Sequence, residues 1–134
     1  ADAQLIVARA ALDAKDFVKA QKTYAELLSN ASGEVAAEAL YYDAYFKTAD
    51  KKYEASNTTI QKLAKDYSSY KYYGAKGLVL MAKNFYGLKD SYQATYILEN
   101  VISNFSDYKD VVSEAKAELE IIKSAEAKRN SSVK

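Results

Sequence analysis

Residues 71–105, KYYGAKGLVLMAKNFYGLKDSYQATYILENVISNF, carry two apolar stripes at helical spacing around one short break. Leu78, Met81, Ala82 and Phe85 recur on one face, and Ala94, Ile97, Leu98, Val101, Ile102 and Phe105 on another. Gly87 between them is placed to end the first helix in a left-handed conformation. Asp90, with Gln93 three residues later, is placed to cap the second. Two such helices in sequence make a hairpin whose apolar side needs neighbours. The rest of the chain must supply them.

It contains the same pattern twice more. DFVKAQKTYAELL around Ala20 and DSYQATYILENVI around Ala94 run in step, and KKYEASNTTIQKL around Ala55 is a third copy. Ala8, Ala44 and Ala82 precede these positions by 12, 11 and 12 residues, which gives the middle copy a shorter turn. The copies follow one another at 35 and 39 residues. Self-similarity at such a period is the mark of a helical repeat stack.

The residues resemble the tetratricopeptide repeat over about residues 3–105. Leu78, Met81, Ala82 and Phe85 match the large, large, small and aromatic positions of that family's first helix. Ala94, Leu98 and Val101 match its second helix, as do Ala20, Tyr24 and Leu27; Ala8 matches in the first copy and Ala44 and Ala55 in the middle one. Trp and Pro are absent, and the spacing departs from the family's unit of about 34 residues. The AEALYYDAYF and SSYKYYGAKGLVLMA segments are most similar to periplasmic and outer-membrane-associated repeat proteins of Bacteroidetes-type bacteria. That resemblance implies a periplasmic or outer-membrane-associated home in a Gram-negative cell, and leaves a cytoplasmic one open. It also implies an all-α, right-handed α-solenoid of three hairpins, at about 3–29, 34–66 and 71–105, closed by a capping helix.

Along the chain, Asp16, Ser32, Asp50 and Asp110 are placed as helix caps, with Glu34 near a positive dipole end. Asn57, Thr58 and Thr59 are poor helix formers inside the fourth helix. The capping helix, about 110–128, is expected to bury Val112, Ala115, Leu119 and Ile122 behind an outer face of Lys, Glu and Ser. Residues 1–129 form one repeat domain in this reading, and 130–134 a disordered tail. Ala1 falls inside a helical pattern, so the chain reads as the C-terminal part of a larger repeat protein.

The composition narrows the chemistry. The sequence has no His, which removes the usual general base and most zinc sites, and no Cys, which removes thiol chemistry. No Gly-rich phosphate loop is present, and the carboxylates stand singly beside Lys residues. The reading is therefore non-catalytic, with no cofactor and no metal. A net charge of +1 gives no general pull toward nucleic acid, and no apolar run approaches about 18 residues, so this segment does not insert in a membrane.

The 13 Tyr residues are the conspicuous feature. Tyr24, Tyr42, Phe46 and Phe85 read as rings packed between helices. Tyr67, Tyr70, Tyr72 and Tyr73 read either as packing for a loop or as a patch for sugar stacking or self-association. In the repeat family the first helices line a concave groove. On the positions of this sequence that places Arg9, Leu12, Tyr41, Tyr45, Thr48, Lys76, Lys83 and Tyr86 there, with Leu5 and Val79 beside them. Such a groove suits a peptide or protein partner with acidic groups. Arg9 and Lys83 stand where chaperone-binding members carry Asn, so their carboxylate clamp is not matched. The competing reading is a structural module that associates with itself through the Tyr-rich segment 67–73.

Overall fold

A computed structural model describes residues 2–132, and every regular element in them is an α-helix. The helices are α1 (Asp2–Asp13), α2 (Phe17–Asn30), α3 (Gly33–Ala49), α4 (Tyr53–Asp66), α5 (Lys71–Gly87), α6 (Ser91–Asn104) and α7 (Lys109–Ser132). Each packs on the next in sequence, and α5 also contacts α3 and α7. Connections of two to four residues make consecutive helices antiparallel neighbours.

Three of the turns are built alike. Lys15, Lys51 and Lys89 each adopt a left-handed conformation, with φ of 61°, 63° and 67°. The next amide donates back to a carbonyl in the last turn of the preceding helix: Asp16 to Ala11, Lys52 to Lys47 and Asp90 to Phe85, each at 2.8 Å. This is the Schellman closure with Lys where Gly is usual. Gly87, expected in that left-handed role, is the last residue of α5. A Cβ there would come within 2.5 Å of the Tyr53 ring, so Gly87 admits an aromatic side chain from α4.

The shared turns also correct the register of the middle copy. Seven residues separate Ala8 from Lys15, Ala44 from Lys51 and Ala82 from Lys89. Five residues on from each Lys stand Ala20, Ser56 and Ala94, all fully buried, whereas Ala55 is exposed. Ser56, not Ala55, is thus the small residue at the close contact, and the middle turn is no shorter than the others. Its hydroxyl donates to the Ala44 carbonyl at 2.9 Å, which lets a polar residue fill an alanine position. Four residues further along, Tyr24, Ile60 and Leu98 are all buried, as are Leu27, Leu63 and Val101 three beyond those.

Other caps differ from expectation. Asp16 and Asp90 accept from the amides of Lys19 and Gln93 at 3.2 and 3.1 Å, as the spacing predicts. Ser32 makes no side-chain cap bond, and Asp50 ends α3 rather than starting α4, whose cap position is Lys52. Asp110 lies inside the first turn of α7 and accepts from the Tyr72 hydroxyl at 2.6 Å. That helix buries Val111, Ala115 and Ile122, with Val112 only half-buried, and Ile121 breaks its polar outer face at 57% exposure. Asn130, Ser131 and Ser132 continue α7, since no helix breaker follows the Glu126–Arg129 ion pair; the rest of the expected tail, 133–134, lies outside the described residues.

The register has a direct test. Ser56→Leu should overpack the α3–α4 contact and cost about 1–3 kcal/mol in denaturant unfolding. Ala55→Leu, on the exposed face, should stay within about 0.5 kcal/mol of the parent. The opposite order would restore the Ala55 register.

Candidate functional site

Glu38 sits in the apolar run VAAEALYYDAYF of α3 and is 3% exposed. A carboxylate cannot be left there unpaired, because its desolvation would cost several kcal/mol. Four donors meet it. Arg9 of α1 forks onto it, Nε to Oε2 at 3.0 Å and Nη2 to Oε1 at 2.6 Å. The hydroxyls of Tyr24 from α2 and Tyr73 from α5 donate to Oε2 and Oε1 at 2.8 and 2.9 Å. Burial alone would raise the Glu38 pKa, but the bonds from Arg9, Tyr24 and Tyr73 outweigh it and hold the carboxyl below its ordinary 4.5. The same burial, with the bond to Glu38, pushes the Tyr24 and Tyr73 hydroxyls up.

This cluster is one wall of an open cleft of about 330 Å³, lined also by Leu12, Asp13, Tyr42, Tyr72 and Lys76. The lining comes mainly from α1, α3 and α5. Lys76 lies over the rings of Tyr41 and Tyr72, at 5.0 and 5.6 Å from their centroids. Among the described residues it makes no ion pair, so its ammonium is held by aromatic faces and stays available. Tyr72 turns its hydroxyl to Asp110; burial and that bond push it up to about 12, and the bond holds Asp110 low.

The expected groove residues divide. Arg9, Leu12 and Lys76 line the cleft, and Tyr41, 5% exposed, lies beneath Lys76. Tyr45 is half-buried against Tyr41, Tyr42 and Phe46. Thr48 donates to Asn84 at 2.6 Å, Lys83 pairs with Glu114 of α7 at 3.0 Å, and Tyr86 lines a separate depression with Ala125 and Glu126. The structure therefore brings the first part of the set together, while α7 engages Lys83. Tyr67 and Tyr70 pack on the α3–α4 core and line an apolar crevice of about 230 Å³ with Ile60, Leu78, Met81 and Phe105.

Glu38 and Asn84 escaped the sequence reading, and Tyr73, read as loop packing or as part of a Tyr-rich patch, donates to Glu38 instead. An acid between alanines in an apolar stretch, in a chain with two Arg residues, was the available signal for the Glu38–Arg9 pair. No protein-family model matches the chain, and no curated protein matches it. Among the described residues, no helix is long and apolar enough to cross a membrane.

Removing the Glu38 carboxylate should leave the buried Tyr24 hydroxyl and the half-buried Tyr73 hydroxyl without their acceptor, while the half-exposed Arg9 guanidinium can turn to water. Glu38→Ala is expected to cost about 1–3 kcal/mol in denaturant unfolding. Because the folded pKa is lowered, the carboxylate's contribution is present above pH 4.5 and lost as pH falls through the folded value. Glu38→Gln should accordingly flatten the loss of stability below pH 4.5 relative to the parent. An unchanged acid limb would mean that Glu38 does not govern it.

Proposed function

We propose that this chain is a non-catalytic protein-interaction scaffold, folded as a right-handed solenoid of three tetratricopeptide-like hairpins with α7 as its capping helix. The cleft between Arg9 and Lys76 is where it takes a partner peptide. One observation carries the reading: α1, α3 and α5, the first helices of the three similar turns, contribute most of one open cleft, as first helices do around the concave side of such a stack. Their matching register and the α3–α5 contact support it.

The chemistry of the cleft favours an extended or helical peptide carrying an acidic group. Lys76 offers an unpaired ammonium above two Tyr rings. Arg9 spends two of its five N–H donors on Glu38, and its side chain is 55% exposed, so other donors face the cleft. Leu12 and the Tyr42 and Tyr72 rings give apolar contact area at low entropy cost. A rigid stack leaves the peptide alone to lose freedom on binding. By the sequence resemblance, that partner would be met in the periplasm or at the outer membrane.

Selection of a displayed random-peptide library on the chain tests this. Enriched peptides should carry an acidic residue beside an aliphatic or aromatic one. Lys76→Glu should weaken them at least tenfold, roughly 1.4 kcal/mol. Lys22→Glu, exposed on α2 and outside the cleft lining, should leave binding unchanged. No acidic bias, or equal binding by Lys76→Glu, would remove the cleft as the site.

A further inference from the structure

Most polar groups in the cleft between Arg9 and Lys76 are already taken. A carboxylate has about four lone-pair sites, and Glu38 fills its own with two bonds from Arg9 and one each from Tyr24 and Tyr73. The Tyr72 hydroxyl is turned to Asp110. Two lining charges are left, the Lys76 ammonium on α5 and the Asp13 carboxylate at the end of α1. Neither has a hydrogen bond or an ion pair among the described residues, and they do not pair with each other.

Folding gives no account of Asp13. It is the last residue of α1, where an acid meets the negative end of the helix dipole. The turn that follows does not need one: Ala49 and Gly87 stand in the same place, two residues before Lys51 and Lys89. Asp13 does not cap α2 either, since the Lys19 amide bonds to Asp16. What its carboxylate does reach is the cleft. Burial raises the pKa of the Tyr42 hydroxyl most, with Glu38, Tyr45 and Asp13 adding to it.

The two charges set what the cleft accepts. A peptide with acids alone is drawn to Lys76 and repelled by Asp13, and one with bases alone meets the reverse. A peptide that carries one of each, at matching places, satisfies both. Charged side chains fall about 5–7 Å apart when they are two residues apart in an extended peptide, or three to four in a helical one. An open cleft of about 330 Å³ is of that scale.

We propose that the cleft reads a pair of opposite charges on the partner peptide, an acidic side chain at Lys76 and a basic one at Asp13. This rests on the cleft being the peptide site and adds a second determinant to it. Tyr42, whose ring lies in the same lining, gives the aliphatic part of the basic side chain a surface to cover. Both contacts are open to water, so the preference is moderate and weakens with salt.

Acetylated, amidated peptides that place Glu and Lys two, three or four residues apart around a Leu test this, each beside a counterpart with Gln for Lys. Calorimetric titration of the intact chain should find the best Glu–Lys peptide about fivefold tighter than its Gln counterpart, as much as one exposed ion pair supplies. Asp13→Asn should bind the two alike, and Asp13→Lys should reverse the order. Both variants should melt no lower than the parent by circular dichroism, because the end of α1 loses an opposing charge. Lys76→Gln should weaken both peptides and so reports on the cleft itself. Equal binding of the two peptides by the parent, with that Lys76 effect intact, would overturn the charge pair and leave the peptide site standing. A preference kept in Asp13→Asn would also overturn it, by placing the basic residue elsewhere. Binding of neither peptide, or of none that Lys76→Gln weakens, would remove the site and the pair together.

Discussion

The Glu38 carboxylate ties α1, α2, α3 and α5 to one arrangement. It stands on α3 and is held from α1, α2 and α5 by donors that lie 29, 14 and 35 residues away in sequence. A buried ion pair is seldom a net gain over apolar groups of the same volume, yet removing one member leaves the others stranded. Direction is what it adds. Ala8, Ala20, Ala37 and Ala44 line the helix contacts around it, and such small, smooth surfaces tolerate sliding. A two-pronged guanidinium and two hydroxyls on one carboxylate do not.

A second polar cluster plays the corresponding part between α4 and α5. Asn84 is fully buried, accepts from Thr48 and donates to Ser56 and Asn57. The equivalent place between α2 and α3 is filled by Phe46 against Phe17. One register thus carries an aromatic solution at one junction and an amide solution at the next. The amide solution works because every buried side-chain nitrogen and oxygen among the described residues finds a partner. It also accounts for the helix that looked weakest. Ser56, Asn57 and Thr59 lower the helical propensity of α4, but their side chains face α3 and α5 rather than solvent.

These polar clusters mark the limit of what the sequence discloses. Periodicity located the seven helices, and Ala8, Ala20, Ala44, Ala82 and Ala94 at their close contacts, because small and apolar residues at helical spacing report burial directly. It misplaced the middle copy because Ser56 breaks the apolar pattern while being as buried as the alanines it replaces. Gly87 was similarly misleading: its preference for positive φ suggested a turn, whereas the turn uses Lys89 and the glycine makes room for Tyr53. Glu38 escaped because its burial depends on partners that only the folded chain brings together. For the same reason Arg9 and Lys83 read as free groove cations, while the structure pairs them with Glu38 and Glu114.

That pairing bears on how recognition is divided from folding in the proposed cleft. Arg9 serves both, since the guanidinium that faces the cleft also neutralises the buried carboxylate. A peptide carboxylate can use only the donors that Glu38 leaves, because drawing the guanidinium off Glu38 would leave a buried charge unpaired. Lys76 has no such obligation. Its ammonium rests on the π faces of Tyr41 and Tyr72, a contact weaker than a buried ion pair and one that leaves N–H groups directed outward. Tyr41 is fixed in the core and Tyr72 by Asp110, so the platform under the cation is rigid even though the cation is unpaired. In the proposed binding mode, then, Arg9 is mainly structural, and the charge proposed to discriminate belongs to Lys76.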